Sequence, residues 1–262
     1  MPKNQKERFE ELANVIATLR SENGCPWDLA QTHETLKPTL IEETYEVVEA
    51  IDAAIPAKLK EELGDLLLNV MLQAQIAADN QHFTIGDVIE IITEKLIRRH
   101  PHVFGDVAAD DTDTVAKNWE AIKRQERGYE DRHSVLDGVP DALPSLQKAQ
   151  KLQRRAAAVG FDWEEIAEVV AKVDEEVAEV KASLKANEPD ATEMELGDLL
   201  FTVVNLCRFM NIQAEEALRQ ANRKFTARFK WMEAEIERRG TSFEDADLAE
   251  LDAIWEAAKR HV

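Results

Sequence analysis

Along most of the chain, apolar residues recur at three- and four-residue intervals, the spacing that lines one face of an α-helix. Strand-like alternation is nearly absent. The pattern predicts an all-α protein. A first helix runs over about residues 5–20 and is closed by SENGCPW. A second starts near Thr35, tolerates Pro38 in its first turn, and continues through IEETYEVVEAI to about Ala53. Pro56 marks a break, a third helix covers about 58–80, and Thr84 caps a fourth that His100-Pro101 ends. The texture changes from Gly105 to Pro144, where an acidic turn at Asp110–Asp113 leads into a short helix, VAKNWEAIKRQER. Gly128, Gly138, Pro140 and Pro144 then break the pattern, so this stretch reads as a linker. Beyond it SLQKAQKLQRRAAAV is helical, GFDW interrupts, and EEIAEVVAKVDEEVAEVKASL resumes. Pro189 interrupts again, ELGDLLFTVVNLCRFM continues, a long helix over EEALRQANRKFTARFKWMEAEIERR follows, and LAELDAIWEAAKR closes the chain.

The order of elements is written twice. ELGDLL occurs after Glu61 and again after Met194. Glu42, Glu43, Glu46, Glu62 and Asp65 recur as Glu175, Glu176, Glu179, Glu195 and Asp198, each displaced by 133 residues. A constant offset across five acids and an interhelical turn indicates an internal duplication. The expected organisation is one repeat over 1–104, a linker with a short helix over 105–144, and a second repeat with a closing helix over 145–262.

A chain of 262 residues, 44% hydrophobic and 32% charged, suits a soluble helical protein with a real core. Its formal charge of −20 repels nucleic acid and anionic membranes, so neither is expected as a partner. A phosphorylated ligand would be repelled too unless cations or a local basic cluster intervened. Cys25 and Cys207 give neither a disulfide framework nor a zinc pattern, which points to a reducing cytoplasm. The N-terminus shows no signal peptide, and no apolar run approaches the ~20 residues of a membrane span.

The acids form a constellation. In E-E-x-x-E the three glutamates fall within an arc of ~100°, and the acids of E-x-x-D lie ~60° apart. Two helices joined by a short turn pack antiparallel and can face these patches to each other. Carboxylates converging on one point repel unless cations sit between them, and oxygen-only ligands suit Mg²⁺ or Mn²⁺ rather than zinc. Most acids on helices merely line a solvated face. Two features argue otherwise: apolar residues flank these acids (Leu40, Val47, Leu63, Leu66 and Leu67; Val173, Val177, Leu196, Leu199 and Leu200), so they border faces expected to be buried. A glycine, Gly64 or Gly197, also recurs in mid-helix, where it costs about 1 kcal/mol against alanine; close approach of a neighbouring helix or ligand would explain it. A di-iron bundle would need Glu-x-x-His on two helices, and that spacing occurs only at Glu130–His133, in the linker.

EExxE followed by ExxD on helices resembles the MazG family of nucleoside triphosphate pyrophosphohydrolases, in a tandem arrangement that covers essentially the whole chain. ENGCPWD at 22–28, RRHPHVF at 98–104 and VGFDW at 159–163 add to the likeness. The resemblance implies all-α four-helix units that pair into dimers, so a homodimer is expected. It implies Mg²⁺ on the acids and cleavage of NTPs or dNTPs to nucleoside monophosphate and pyrophosphate. In the second repeat the implied metal set is Glu176, Glu179, Glu195 and Asp198. The first-repeat counterparts are Glu43, Glu46, Glu62 and Asp65. Glu42 and Glu175 lead each motif as outer supports or as a water-orienting base. Lys172, Lys224, Arg228 and Trp255 are the implied nucleotide contacts, with Lys95 and Arg99 as first-repeat counterparts of Lys224 and Arg228. Trp255 lies in a closing helix that follows only the second repeat, which favours the second site as the catalytic one. Trp27, Phe161 and Trp163 precede the acidic helices and either contact a base or anchor their loops. His100 and His102 read as a helix stop.

Water must attack a phosphorus ringed by negative oxygens, so positioning and charge neutralisation carry the chemistry. A narrower dUTP or damaged-nucleotide hydrolase, and a regulatory protein that binds nucleotide with little turnover, remain as alternatives.

Overall fold

The computed structural model describes residues 4–105, 107, 111, 114, 115, 119, 122 and 133–261. Among them every regular element is a helix, as the periodicity predicts, and no helix is long and apolar enough to cross a membrane. The expected linker helix over 115–127 lies mostly outside the described residues, as does Glu130. The chain divides into two compact units, Met1–Glu126 and Arg127–Val262.

The first unit contains α1 (Gln5–Leu19), α2 (Pro26–Ala30), α3 (Lys37–Ala53), α4 (Pro56–Asp79), α5 (Ile85–Arg99) and α6 (Pro101–Phe104). Asn4 and Glu7 form a capping box on α1, and Thr84 with Asp87 does the same for α5. Helices α3 and α4 pack as a hairpin, and α1 and α5 lean on α4. Ile16, Leu36, Met71, Leu72 and Ile76 form the core, with Phe9, Leu12, Leu68 and Ile85 against it. Arg20 is buried at the end of α1. It donates to Asp79 Oδ2 at 2.8 Å and to the carbonyls of Asp28 and Gln31, tying the loop of ENGCPWD to the end of α4.

The second unit contains α7 (Ser145–Ala157), α8 (Ile166–Ala186), α9 (Pro189–Phe209), α10 (Ala214–Arg239) and α11 (Leu248–Ala258). Helices α8 and α9 form the matching hairpin, α7 packs on α9 and α10, and α11 on α10. Buried Gln150 accepts from the Ala214 N–H at 3.0 Å and donates to the Ile212 carbonyl at 2.6 Å, fixing the start of α10. Met232, Ile236, Ile254 and Ala258 make the α10–α11 core, with Trp231, Leu251 and Trp255 packed on it.

One turn device sets both hairpins. Ala54 ends α3 in the left-handed region (φ 52°) and Pro56 opens α4; Asn187 (φ 56°) and Pro189 do the same between α8 and α9. The structure thereby adjusts two expected boundaries. Pro56 and Pro189 are first residues of helices, where the missing N–H costs nothing, rather than breaks ahead of them. The short helices α2 and α6, both opened by proline, were not expected from the periodicity, which four or five residues cannot display.

The apolar residues beside the acids do not all go inside. Val47 is buried, but Leu63 and Leu67 on α4 and Leu196 and Leu200 on α9 are 39–60% exposed, as are Val70 and Val203 at 41% each. With spacing i, i+4, i+7 they make the same stripe on each unit, turned away from its own core. Gly64 and Gly197 each follow the first leucine of a stripe but lie to one side of it, and a Cβ at either would meet nothing within 4 Å, so the close approach expected at the glycines is absent within the described chain.

Candidate functional site

The hairpin turn fixes the register of α3 on α4 and of α8 on α9, and that register brings the acids together. In the first unit, carboxylate oxygens of Glu43, Glu62 and Asp65 lie within 4.8 Å of one another. In the second, those of Glu176, Glu179 and Glu195 do so. Glu46 stands outside the first triplet yet shares a hydrogen bond with Glu43 and acts electrostatically on Glu62. Asp198 is exposed and outside the second triplet, so the two copies converge on different triads.

Burial and mutual repulsion show in the proton affinities. The Glu43 carboxyl is raised, first by burial and then by Glu46 and Asp65. Glu62 is raised by burial and Glu46, and Glu179 by burial, Glu176 and Glu195. Such acids hold a hard cation readily. The fit has a further sign: the Oε2 atoms of Glu43 and Glu176 are buried without a hydrogen-bond partner among the described residues. An all-oxygen donor set with an unsatisfied inner oxygen suits Mg²⁺ or Mn²⁺.

Glu176 is the most buried of the acids, 4% exposed, because it falls on the inward stripe of α8 with Val169 and Ser183, seven residues to either side. A charge there needs compensation. Lys172 supplies part of it, with Nζ 2.8 Å from Glu175 Oε1 and 2.8 Å from Glu176 Oε1. These hydrogen bonds raise the lysine's own proton affinity, Glu175 contributing most. The first unit has Thr39 at the corresponding position, 133 residues earlier, and lacks this cation. Glu42 adds to the raised proton affinity of Glu43.

The basic and aromatic residues form a second group. The Arg228 guanidinium lies 6.0 Å from the Trp255 ring centroid, its buried Nε lacks a partner, and Phe225 packs at 5.3 Å on the same indole. Lys224 is exposed, and among the described residues no carboxylate pairs with Lys224 or Arg228, so they are not ordinary surface ion pairs. Among the described residues no hydrogen bond or ion pair joins this group to the Glu176 triplet. Trp27 (64% exposed), Phe161 (82%) and Trp163 (43%) are on the surface and do not anchor their loops. Asp162 holds the VGFDW loop instead, accepting both Arg208 nitrogens, which depresses its carboxyl. His100 donates from Nδ1–H to the Leu96 carbonyl at 2.7 Å at the end of α5, in keeping with a helix stop.

The aromatic contact that the periodicity did not reveal is Trp119. Arg99 lies 5.6 Å from its ring centroid, and His100 meets the ring edge-on at 5.0 Å. The first repeat, like the second, is thus followed by a tryptophan beside its Lys/Arg pair. The available signal was the order itself, a lysine, an arginine four residues on, then a tryptophan, in both halves.

Comparison with known proteins adds sequence relatives to this geometry. The family model for the MazG nucleotide pyrophosphohydrolase domain matches residues 31–104 and 163–232. The nucleoside triphosphate pyrophosphohydrolase/pyrophosphatase MazG of Thermotoga maritima is 49% identical over 251 residues, 96% of this chain and 95% of its own. The nucleoside triphosphate pyrophosphohydrolase of Escherichia coli is 43% identical over 256 residues, 97% of each chain. The uncharacterized protein YabN of Bacillus subtilis is 46% identical over 252 residues, 96% of this chain and 51% of its own length. With two matched domains and relatives aligned nearly end to end, the chain belongs to the MazG nucleotide pyrophosphohydrolase family.

Proposed function

We propose that the protein is a nucleoside triphosphate pyrophosphohydrolase that cleaves NTPs and dNTPs, with broad base specificity, between the α- and β-phosphates. The observation that carries this reading is the buried, unsatisfied carboxylate of Glu176 within the triad it forms with Glu179 and Glu195. The relatives' names support the reaction class. Glu176, Glu179 and Glu195 would hold Mg²⁺, with Asp198 joining from the same helix as Glu195. Bound there, Mg²⁺ would screen the phosphate charge and ease deprotonation of the attacking water.

The chain's own groups do the rest. Lys172 sits within 2.8 Å of Glu175 and Glu176 and keeps both extended toward the site. Glu175, the more exposed of the pair, is placed to orient the water and take its proton. Lys224 and Arg228, free of carboxylate partners, are suited to the polyphosphate, and Trp255 to the base. The second repeat is the hydrolytic one on this reading, because Lys172 hydrogen-bonds its leading glutamates directly, whereas in the first repeat Lys58 acts on Glu62 through charge alone. The exposed apolar stripes of like pattern on α4 and α9 support a homodimer, in which a second copy would cover them.

Glu179→Gln is expected to lower pyrophosphate release by at least about 100-fold at unchanged fold, and Glu46→Gln to leave most of it. Orthophosphate with nucleoside diphosphate as the sole products would overturn the reaction assignment. No loss in either variant would overturn the site. A substrate panel tests breadth against the narrower dUTP or damaged-nucleotide reading, which the aromatic rings of Phe225 and Trp255, as the proposed base contacts, do not favour.

A further inference from the structure

Glu176 uses its two oxygens differently. Oε1 accepts from Lys172 Nζ at 2.8 Å, and the same ammonium lies 2.8 Å from Glu175 Oε1. Oε2 is buried without a partner among the described residues, and Glu176 belongs to the triplet with Glu179 and Glu195. The lysine is the more open of the pair, its side chain 32% exposed against 5% for Glu176. Its charge also acts on Glu179, against the raising effects of burial and the neighbouring acids. One cation of the chain's own thus partly neutralises the cluster from its outer side.

The first repeat arranges its charge in another way. Thr39 stands where the second repeat has Lys172, and Ala191 stands where the first has Lys58. Lys58 acts on Glu62 through charge alone, and its ion pair, at 3.9 Å, is with Glu49, outside the triplet of Glu43, Glu62 and Asp65. The unpartnered oxygen is the same in both repeats, Oε2 of Glu43 and of Glu176. The hydrogen-bonded lysine is what the second repeat adds.

A lysine and a divalent cation are antagonists on one carboxylate. They repel each other, and the burial of Glu176 keeps water from screening them. A polyphosphate reverses the balance, since its charge attracts both. The ammonium, partly open to solvent, can turn toward it by rotating its four-carbon stem.

We infer that Lys172 is the built-in counter-cation of the metal-free second site. It weakens the hold on a divalent cation until a polyphosphate draws the ammonium off, so metal loading waits on nucleotide. The same departure releases Glu175, the residue placed to orient the water, only when substrate is seated. On loss of product the lysine returns to the glutamates. The inference rests on the pyrophosphohydrolase reading for the polyphosphate and adds to it an order of loading.

The test titrates the full-length chain with Mn²⁺, followed by electron paramagnetic resonance, first alone and then with a nucleoside triphosphate whose α,β-bridging oxygen is methylene. Mn²⁺ held by free analogue is subtracted. Without nucleotide, Lys172→Met is expected to tighten Mn²⁺ at one site about tenfold. The analogue is expected to tighten that site about tenfold more in the parent and in Lys172→Arg than in Lys172→Met. Thr39→Lys, which leaves the second repeat untouched, is expected to weaken Mn²⁺ at the other site about tenfold. Unchanged or weaker Mn²⁺ binding in Lys172→Met overturns the inference, as does equal tightening by the analogue in parent and variant. Should Lys172→Met fail to fold, an unchanged Mn²⁺ affinity in Thr39→Lys overturns it. Pyrophosphate release measured on the parent separates the failures. A parent that releases pyrophosphate without this coupling refutes the counter-cation alone, while one that releases none refutes the reaction assignment.

Discussion

Ile254→Ala separates the role of the closing helix from the stability of the molecule. Ile254 is fully buried, and its neighbours across the contact are Met232 and Ile236 of α10. Truncation removes three carbons, about 2.4 kcal/mol at ~0.8 kcal/mol for each, and the cavity left behind brings the cost to about 3 kcal/mol. Helix α11 has 11 residues, fewer than the ~12–15 at which an isolated helix becomes even marginal, so it exists because it is docked. The loss therefore falls on docking. At 1.4 kcal/mol per factor of ten, amide exchange in residues 248–258 is expected to accelerate about 100-fold, while amides beside Val169 and Val204 in the α8–α9 hairpin keep their protection. Trp255, the next residue, leaves Arg228 with it. The KM for nucleoside triphosphate is expected to rise severalfold with a smaller change in kcat, because binding rather than the reacting phosphorus is touched. Equal acceleration throughout the second unit would refute local docking. Accelerated exchange in α11 with an unchanged KM would refute the placement of Trp255 at the nucleotide.

Two further predictions concern stability. Ala54 carries a Cβ in the left-handed turn where the second repeat has asparagine, so Ala54→Asn is expected to stabilise the first unit by about 0.5–1 kcal/mol and Asn187→Ala to destabilise the second by a like amount, read from urea midpoints; effects of the same sign would refute the turn argument. Glu235, held down to about 2 by hydrogen bonds from Arg238 and Arg239 against an ordinary 4.5, stabilises the fold above pH 4.5 and loses that contribution as pH falls toward 2. The gap between the parent and Glu235→Gln is expected to be full at pH 7 and to close on acidification through this window; a gap that widens there would refute it.

The sequence speaks most clearly where the same physics is written twice. The 133-residue offset identifies both acidic clusters, since a helical period and a short turn leave few ways to arrange E-E-x-x-E against E-x-x-D. It does not reveal that Glu46 and Asp198 stand outside the triads, because that depends on side-chain rotamers and on Lys172 being present in only one copy. The prolines at 56 and 189 signal a boundary correctly but not its position, since the same residue both ends one helix and suits the first turn of the next. Leu63, Leu67, Leu196 and Leu200 have the period of a buried face and yet are exposed: periodicity tells which residues share a face, not what covers it. The Trp119–Arg99 contact is not legible in the period, because no helical pattern connects the two; a contact across a change of texture leaves no period.

If the proposed homodimer pairs through the exposed stripes, two stripes on one chain make the molecule divalent. Each would then pair with its like on another copy, and the chain joining the two repeats would decide what assembles. If both stripes engage the same second chain, the first pairing raises the local concentration of the second and growth stops at a closed pair. If a constrained segment sends them to different chains, every addition leaves a stripe open and growth continues. On the proposal of a homodimer, duplication turned one self-pairing surface into two, and shortening the 105–144 segment is the change expected to turn a dimer into a chain.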